Sequence, residues 1–333
     1  MTEFDQALQA KIDGKTKPLG ALGQIEIVAA KAARLQQRLD PVMERARLVI
    51  FAGDHGIARS GVSAYPVEVT RQMVLNFARG GAAANVFSRV GGLDLAVVNA
   101  GVVGGRFDIP QVRDEPLGEG TGNSVIGPAM SRATCEKAIA IGRAIGAEGD
   151  WQACAFGEMG IGNTSAAALV AHRLTEASLT ALVGRGAGLD DDGLIRKHET
   201  LTKASKRVPG VLGPVQALAE FGGFEIAMMA GAMLGAAAAR RMVLVDGYIA
   251  SVAALAAARI EPAAREAMIF CHLSGEPGHR VVLDTLAAKP LLQLDMRLGE
   301  GTGAALAWPL VKASVAMLNE MASFAEAGVS EAE

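Results

Sequence analysis

Arg47 to Ala52 (RLVIFA) is a short apolar run that empties into a glycine-bounded turn, Gly53-Asp54-His55-Gly56. A run without polar alternation belongs to a strand buried on both faces, as in a parallel sheet with helices above and below. The pattern recurs along the chain, at Asp94 to Ala100 (DLAVVNA), Ala153 to Gly157, Met242 to Val245 and Met268 to Cys271. Helical stretches lie between these runs. Ile25, Val28, Ala32 and Leu35 recur at helical spacing, and further helices are predicted over Val67 to Phe77, Cys135 to Gly146, Phe224 to Ala239 and Ser251 to Arg259. Strands alternating with helices predict an α/β fold with a mostly parallel sheet flanked by helices. Ligands of such sheets sit at the carboxyl ends of the strands, and three acid-bearing loops fall there, at Asp54, Glu158 and Asp246. The stretch from Gly101 to Pro128 is rich in Gly and Pro and reads as a long loop.

The 333 residues suffice for one large domain with a smaller subdomain. Half of them are hydrophobic and 20% are charged, the balance of a folded globular chain. Forty glycines and only 4% aromatics imply tight turns and close helix packing. With 32 Lys+Arg against 35 Asp+Glu and no basic tract, nucleic acid is not an expected partner. Cys135, Cys154 and Cys271 form no CxxC pair, so neither zinc nor a disulfide framework is expected. The start, MTEFDQALQA, has no basic region followed by an apolar core, and the uncharged run Ile226 to Ala239 is too short to cross a bilayer. The expectation is a cytoplasmic protein with no membrane partner.

Three stretches carry candidate chemistry. In Met296-Arg297-Leu298-Gly299-Glu300-Gly301-Thr302-Gly303, one carboxylate stands between glycines ahead of an Ala/Leu-rich helix. Glu300 is placed either as a base or merely as a charge at a helix N-terminus. In Gly157-Glu158-Met159-Gly160-Ile161-Gly162-Asn163-Thr164-Ser165, glycines expose backbone N–H groups just before a helix, an anion site by construction. The plainer alternative is a tight turn in which Thr164 or Ser165 caps that helix. Lys197, in a charged helix after the Gly184 to Asp192 turn, is either a counter-charge for the anion or a solvated lysine. Asp54 and His55 lack the spacing of a metal site, and His55 is expected to bond within its own loop. Val243-Leu244-Val245-Asp246 departs from the diphosphoribosyl loop of ordinary phosphoribosyltransferases, because Gly247 stands where a second acid is needed.

Taken together, KPLGALGQIE, FAGDHGIARSGVSAYPVEVT, GPAMSR, FGEMGIGNTSAAA, GGFEIAMMAGAMLGAAAARRMVLVDGYIASVAALAA and MRLGEGTGAALA occur in an order that resembles the nicotinate-nucleotide–dimethylbenzimidazole phosphoribosyltransferases. The resemblance runs from about residue 17 to about 318. It implies a Rossmann-like sheet over residues 41–304, a small helical subdomain from residues 1–40 and 305–333, and a homodimer. It also implies transfer of phosphoribose from nicotinate mononucleotide to 5,6-dimethylbenzimidazole in cobalamin lower-ligand synthesis. By the same resemblance Glu300 is the catalytic base. Glu158, the turn Gly160, Ile161, Gly162, Asn163 and Thr164, and Lys197 hold the ribose phosphate, with Arg297 assisting. Ser63, Ala64 and Tyr65 fall where the family contacts the benzimidazole, with Gln72 beyond them, and Met159 and Leu298 supply an apolar wall. The chemistry calls for no cofactor or metal. A cationic pyridinium leaves without a general acid, and one carboxylate suffices to take the proton of the attacking azole. Rival expectations are the same reaction on another base (a different benzimidazole, a purine or a phenol), a non-catalytic nucleotide or azole binder, and a metal-dependent phosphotransferase using Asp54 and His55.

Overall fold

The computed structural model describes residues 2–330. Among them, six strands form the main sheet: β1 (Ala46–Gly53), β2 (Leu93–Gly101), β3 (Val112–Asp114), β4 (Ala153–Met159), β5 (Met242–Val245) and β6 (Met268–Phe270). Their order is β3-β2-β1-β4-β5-β6, and every neighbouring pair is parallel. This is the doubly wound arrangement, in which the order reverses between β1 and β4 and leaves a crevice beyond their carboxyl ends. A two-stranded parallel ribbon, β7 (His272–Leu273) with β8 (Leu292–Gln293), follows.

The unbroken apolar runs are explained by two cores. Val49 and Phe51 of β1 face one, with Phe156, Val243 and Val245, under the helices Asn163–Thr175, Phe224–Ala238 and Tyr248–Ile260. Leu48, Ile50 and Ala52 point to the other, with Val97, Ala155 and Leu244, closed by the helices Ala83–Gly91 and Thr302–Glu320. Successive residues thus serve opposite faces, and a polar residue on either would be buried.

Glycine makes the first core possible with few aromatics. The helix Phe224–Ala238 lies against Arg132–Ala147 with backbones in contact: a Cβ at Gly142 would sit 1.9 Å from the Met228 carbonyl oxygen, and one at Gly231 2.0 Å from that of Ile139. No side chain fits between these helices. The chain ends meet in a third, smaller core of Leu8, Ile12, Ala29, Ala33 and Leu318, and Lys15 bridges to Ser323.

The predicted strands appear within a few residues of their expected limits. The Gly101 to Pro128 stretch, read as loop, also contains β3 at the edge of the sheet, paired only with β2. The three cysteines are buried and free. Among the described residues no helix is long and apolar enough to cross a membrane.

Candidate active site

A cavity of about 600 Å³ opens at the carboxyl ends of the strands. Pairing of Phe51 with Glu158 and of Ala52 with Met159 brings the end of β4 beside the turn that leaves β1. The Gly299–Gly301 turn closes in from the far end of the sequence. Gly299, Glu300 and Gly301 all have left-handed backbone, with φ of 84°, 62° and 80°. Gly157 lets this turn lie directly on β4, since a Cβ there would stand 2.4 Å from the carbonyl carbon of Glu300.

Two further carboxylates hold the turn. Asp246, at the end of β5, accepts hydrogen bonds from the N–H groups of Gly301 (3.2 Å) and Ala304 (3.1 Å), so it caps the start of the helix Thr302–Glu320. Glu158 accepts the Glu300 N–H and the side-chain amide of Asn163. Burial pushes the Glu158 carboxyl well above the usual carboxylate range, and the charges of Asp246, Glu225 and Glu300 add to this. Glu300 is 5% exposed, lines the cavity, and its Oε2 meets no donor. Its carboxyl is pushed up to about 7, mainly by burial and further by Asp246, against the pull of the Ala84 N–H. A carboxyl with that affinity is matched to proton transfer near neutral pH.

At the other end, Gly160, Ile161, Gly162, Asn163 and Thr164 form the turn into the helix Asn163–Thr175, and all five line the cavity. Neither Thr164 nor Ser165 caps this helix: its N-cap is Gly162, which makes no side-chain cap bond. The Thr164 hydroxyl accepts from Lys197 Nζ instead, at 3.0 Å, and the same ammonium donates to the Gly184 carbonyl at 3.0 Å. Lys197 is 1% exposed, so it is not a solvated lysine, and desolvation lowers its pKa to about 8. Its Nζ lies just behind Thr164 and Gly186 of the cavity wall. Arg297 donates to the Gly186 carbonyl oxygen at 3.0 Å, joining the Glu300 segment to this end.

Ser63, Tyr65, Met159 and Leu298 also line the cavity. Tyr65 and Leu298 are 51% and 56% exposed, which puts them at its mouth. Gln72 is exposed and is not part of the wall; its neighbour Met73 is, together with Val69. His55 does not bond within its own loop. Its Nε2 lies 2.5 Å from Oε1 of Glu225 on the helix Phe224–Ala238, in a fully buried pair that packs beneath Gly160 and Gly162. No group of three or more His, Cys, Asp or Glu able to hold a metal occurs among the described residues. His272 of β7, with Ser274 and Glu276 just after that strand, lines the cavity without having stood out in the sequence. Their signal was the polar His272 to Arg280 loop at a strand end, the same position that marked Asp54 and Glu158.

A buried carboxylate, an amide-rich turn backed by an ammonium and an apolar mouth can seat an anionic group beside a flat apolar one. Comparison with known proteins agrees. A family model described as a phosphoribosyltransferase matches residues 1–329. The nicotinate-nucleotide–dimethylbenzimidazole phosphoribosyltransferase of Ralstonia nicotianae is 52% identical, over 99% of this chain and 96% of that one. The enzyme of that name from Cupriavidus necator is 50% identical, over 100% and 98%. The crystal structure of CobT from Thermus thermophilus superposes with a TM-score of 0.95 at 43% identity, covering 99% of this chain and 100% of that one. On sequence and structure alike, the chain belongs to the nicotinate-nucleotide–dimethylbenzimidazole phosphoribosyltransferase family.

Proposed function

We propose that the protein transfers the 5-phosphoribosyl group of nicotinate mononucleotide to 5,6-dimethylbenzimidazole, releasing nicotinate and α-ribazole 5′-phosphate in cobalamin lower-ligand synthesis. The observation that carries this reading is Glu300, a buried carboxylate that lines the cavity, has one oxygen without a donor and is pushed up to a pKa of about 7. The azole attacks C1′ through one ring nitrogen while Glu300 takes the proton from the other, so the product forms neutral rather than cationic. The C1′–N bond breaks toward the pyridinium, which leaves as neutral pyridine carrying its carboxylate, and no acid is needed to expel it. Negative charge on Glu300 also favours the positive charge that develops on the sugar.

The remaining side chains hold the partners in place. The 160–164 turn, with Lys197 behind Thr164, receives the phosphate and fixes the face of the ribose presented to the azole. Glu158 ties that turn to Glu300 through Asn163 and the Glu300 N–H, so phosphate and base are held by one connected set of bonds. Val69, Met73, Met159 and Leu298 offer apolar surface to the flat base, with Ser63 and Tyr65 at the rim. The working unit in this reading is a homodimer, which sedimentation equilibrium tests.

The decisive experiment is a product assay with nicotinate mononucleotide and 5,6-dimethylbenzimidazole, run on wild type and Glu300→Gln with and without a chelator. The expected result is stoichiometric nicotinate and α-ribazole 5′-phosphate from wild type, unaffected by chelator and reduced by at least about a hundredfold in the variant. Binding of both ligands without nicotinate release would replace the enzyme reading with a binder. Competition between azoles in the same assay identifies the preferred base.

A further inference from the structure

Four carboxylates line the cavity: Glu158, Asp246, Glu276 and Glu300. Three have defined work. Glu158 is held by Asn163 and the Glu300 N–H, Asp246 by two N–H groups of the following helix, and Glu300 is left for the azole. Glu276 is different. It is 7% exposed, its Oε2 meets no donor, and its side chain makes no hydrogen bond within the described residues. Only its backbone is engaged: the N–H donates to the Ser274 hydroxyl at 3.3 Å and the carbonyl accepts from the His279 N–H at 3.0 Å.

Its position is defined by Gly184. A Cβ on that glycine would sit 2.0 Å from Glu276 Oε2, while the carbonyl of the same residue accepts from Lys197. Glu276 therefore lies one peptide away from the ammonium at the phosphate end, and its charge favours the protonated lysine. Oε2 is sealed against Gly184 and Oε1 also meets no donor; a carboxylate this buried is costly in the free protein, and a ligand donor that reaches Oε1 from the cavity recovers part of the loss.

The two substrates of the proposed reaction bring few donors. Phosphate and the nicotinate carboxylate are acceptors. The azole has one N–H, which goes to Glu300. What remains is the 2′,3′-diol of the ribose. We propose that Glu276 binds the ribose diol of the phosphoribosyl donor and is the residue by which the enzyme distinguishes a ribonucleotide from a deoxyribonucleotide. The assignment rests on the transfer reaction proposed above, and it adds a sugar specificity to it.

The test compares nicotinate mononucleotide with its 2′-deoxy and 3′-deoxy analogues on wild type, Glu276→Gln and Glu276→Ala. Affinity is read by calorimetry and kcat/KM by nicotinate release, with inorganic phosphate as a competing ligand. Wild type is expected to lose about ten- to a hundredfold in affinity and kcat/KM toward at least one deoxy analogue, the span of a hydrogen bond to a charged group. In Glu276→Ala that preference should shrink to within about threefold, with inhibition by phosphate changed no more than that. Wild type that binds both deoxy analogues as well as the parent overturns the proposal without any variant, whether or not Glu276→Ala folds. So does a Glu276→Ala protein that keeps the full preference. Loss of phosphate affinity with the preference intact would make Glu276 only the counter-ion of Lys197. Because calorimetry reads the preference without turnover, failure of wild type to make product counts against the transfer reaction and leaves this comparison standing.

Discussion

If burial is what raises the Glu300 carboxyl to about 7, removing its charge must stabilise the protein as well as stop the reaction. In the unfolded chain the carboxyl returns to its ordinary 4.5. Between these two values the folded state holds a proton that the unfolded state has lost, so this group lowers stability as pH rises from 4.5 and levels off above 7. At about 1.4 kcal/mol for each tenfold change in proton affinity, the accumulated cost is under ~1 kcal/mol at pH 5 and roughly 3 kcal/mol at pH 8. Glu300→Gln keeps the shape and does not titrate.

Its buried amide carries a pH-independent cost of its own, since the Oε2 position has no partner, so the absolute stability of the variant is a poor readout. The change with pH is the clean one. Relative to wild type, Glu300→Gln should gain about 2.5 kcal/mol between pH 5 and pH 8. For 333 residues the unfolding entropy is about 0.7 kcal/mol per kelvin, which converts that gain to a Tm advantage growing by about 4 °C. Matched thermal and denaturant melts of the two proteins at both pH values measure it. A Tm difference that is the same at pH 5 and pH 8 would show that the carboxyl is not perturbed, and the base role proposed for Glu300 would lose its physical cause.

Activity should follow a narrow bell in kcat/KM, with an acid limb near pH 7 as Glu300 ionises and an alkaline limb near pH 8 as Lys197 loses its proton. Bound phosphate favours the charged lysine, so the alkaline limb of kcat should lie above that of kcat/KM; a flat profile from pH 6 to 9 would remove both groups from the mechanism. Gly157→Ala drives a methyl into the Glu300 backbone and should cut kcat by about a hundredfold or more in the folded protein, because the proposed base is displaced. Gly142→Ala meets an equally close carbonyl between two helices away from the cavity, and should lower Tm while leaving kcat per folded molecule unchanged.

The architecture was legible wherever burial on both faces removed polar residues from a strand, as at Val49 to Ala52. It was illegible at β3, where three residues on an edge, Val112–Asp114, need no such run and sit inside a Gly/Pro-rich loop. Carboxylates at strand ends could be picked out because glycines flank them. Their partners His272, Ser274 and Glu276 shared only the strand-end position, because they reach the same cavity through sheet order and not through any spacing along the chain. Helical phase set the finer limit. One residue is 100° of rotation, and it separates Gln72, exposed, from Met73, on the wall. For Lys197 the phase was readable: Gly193, Lys197 and Leu201 stand four apart on the buried side of the helix Asp191–Arg207, so a lysine in a charged helix lies on its inner face.

The backbone at Glu300 gives an independent reason to assign that residue to chemistry. Its φ of 62° is a conformation that a glycine adopts freely and an L side chain adopts at a cost of about 1 kcal/mol or more. Both neighbours with the same handedness are glycines, and a turn needing only to start a helix would favour glycine here too. A carboxylate in this place adds backbone strain to the roughly 3 kcal/mol of buried charge it carries at pH 8, and it lacks a donor for one oxygen. Asp246 already caps the helix, so the charge is not required there for structure. Three costs converge on one side chain, and the proton transfer proposed for it in the cavity is the work that would account for them.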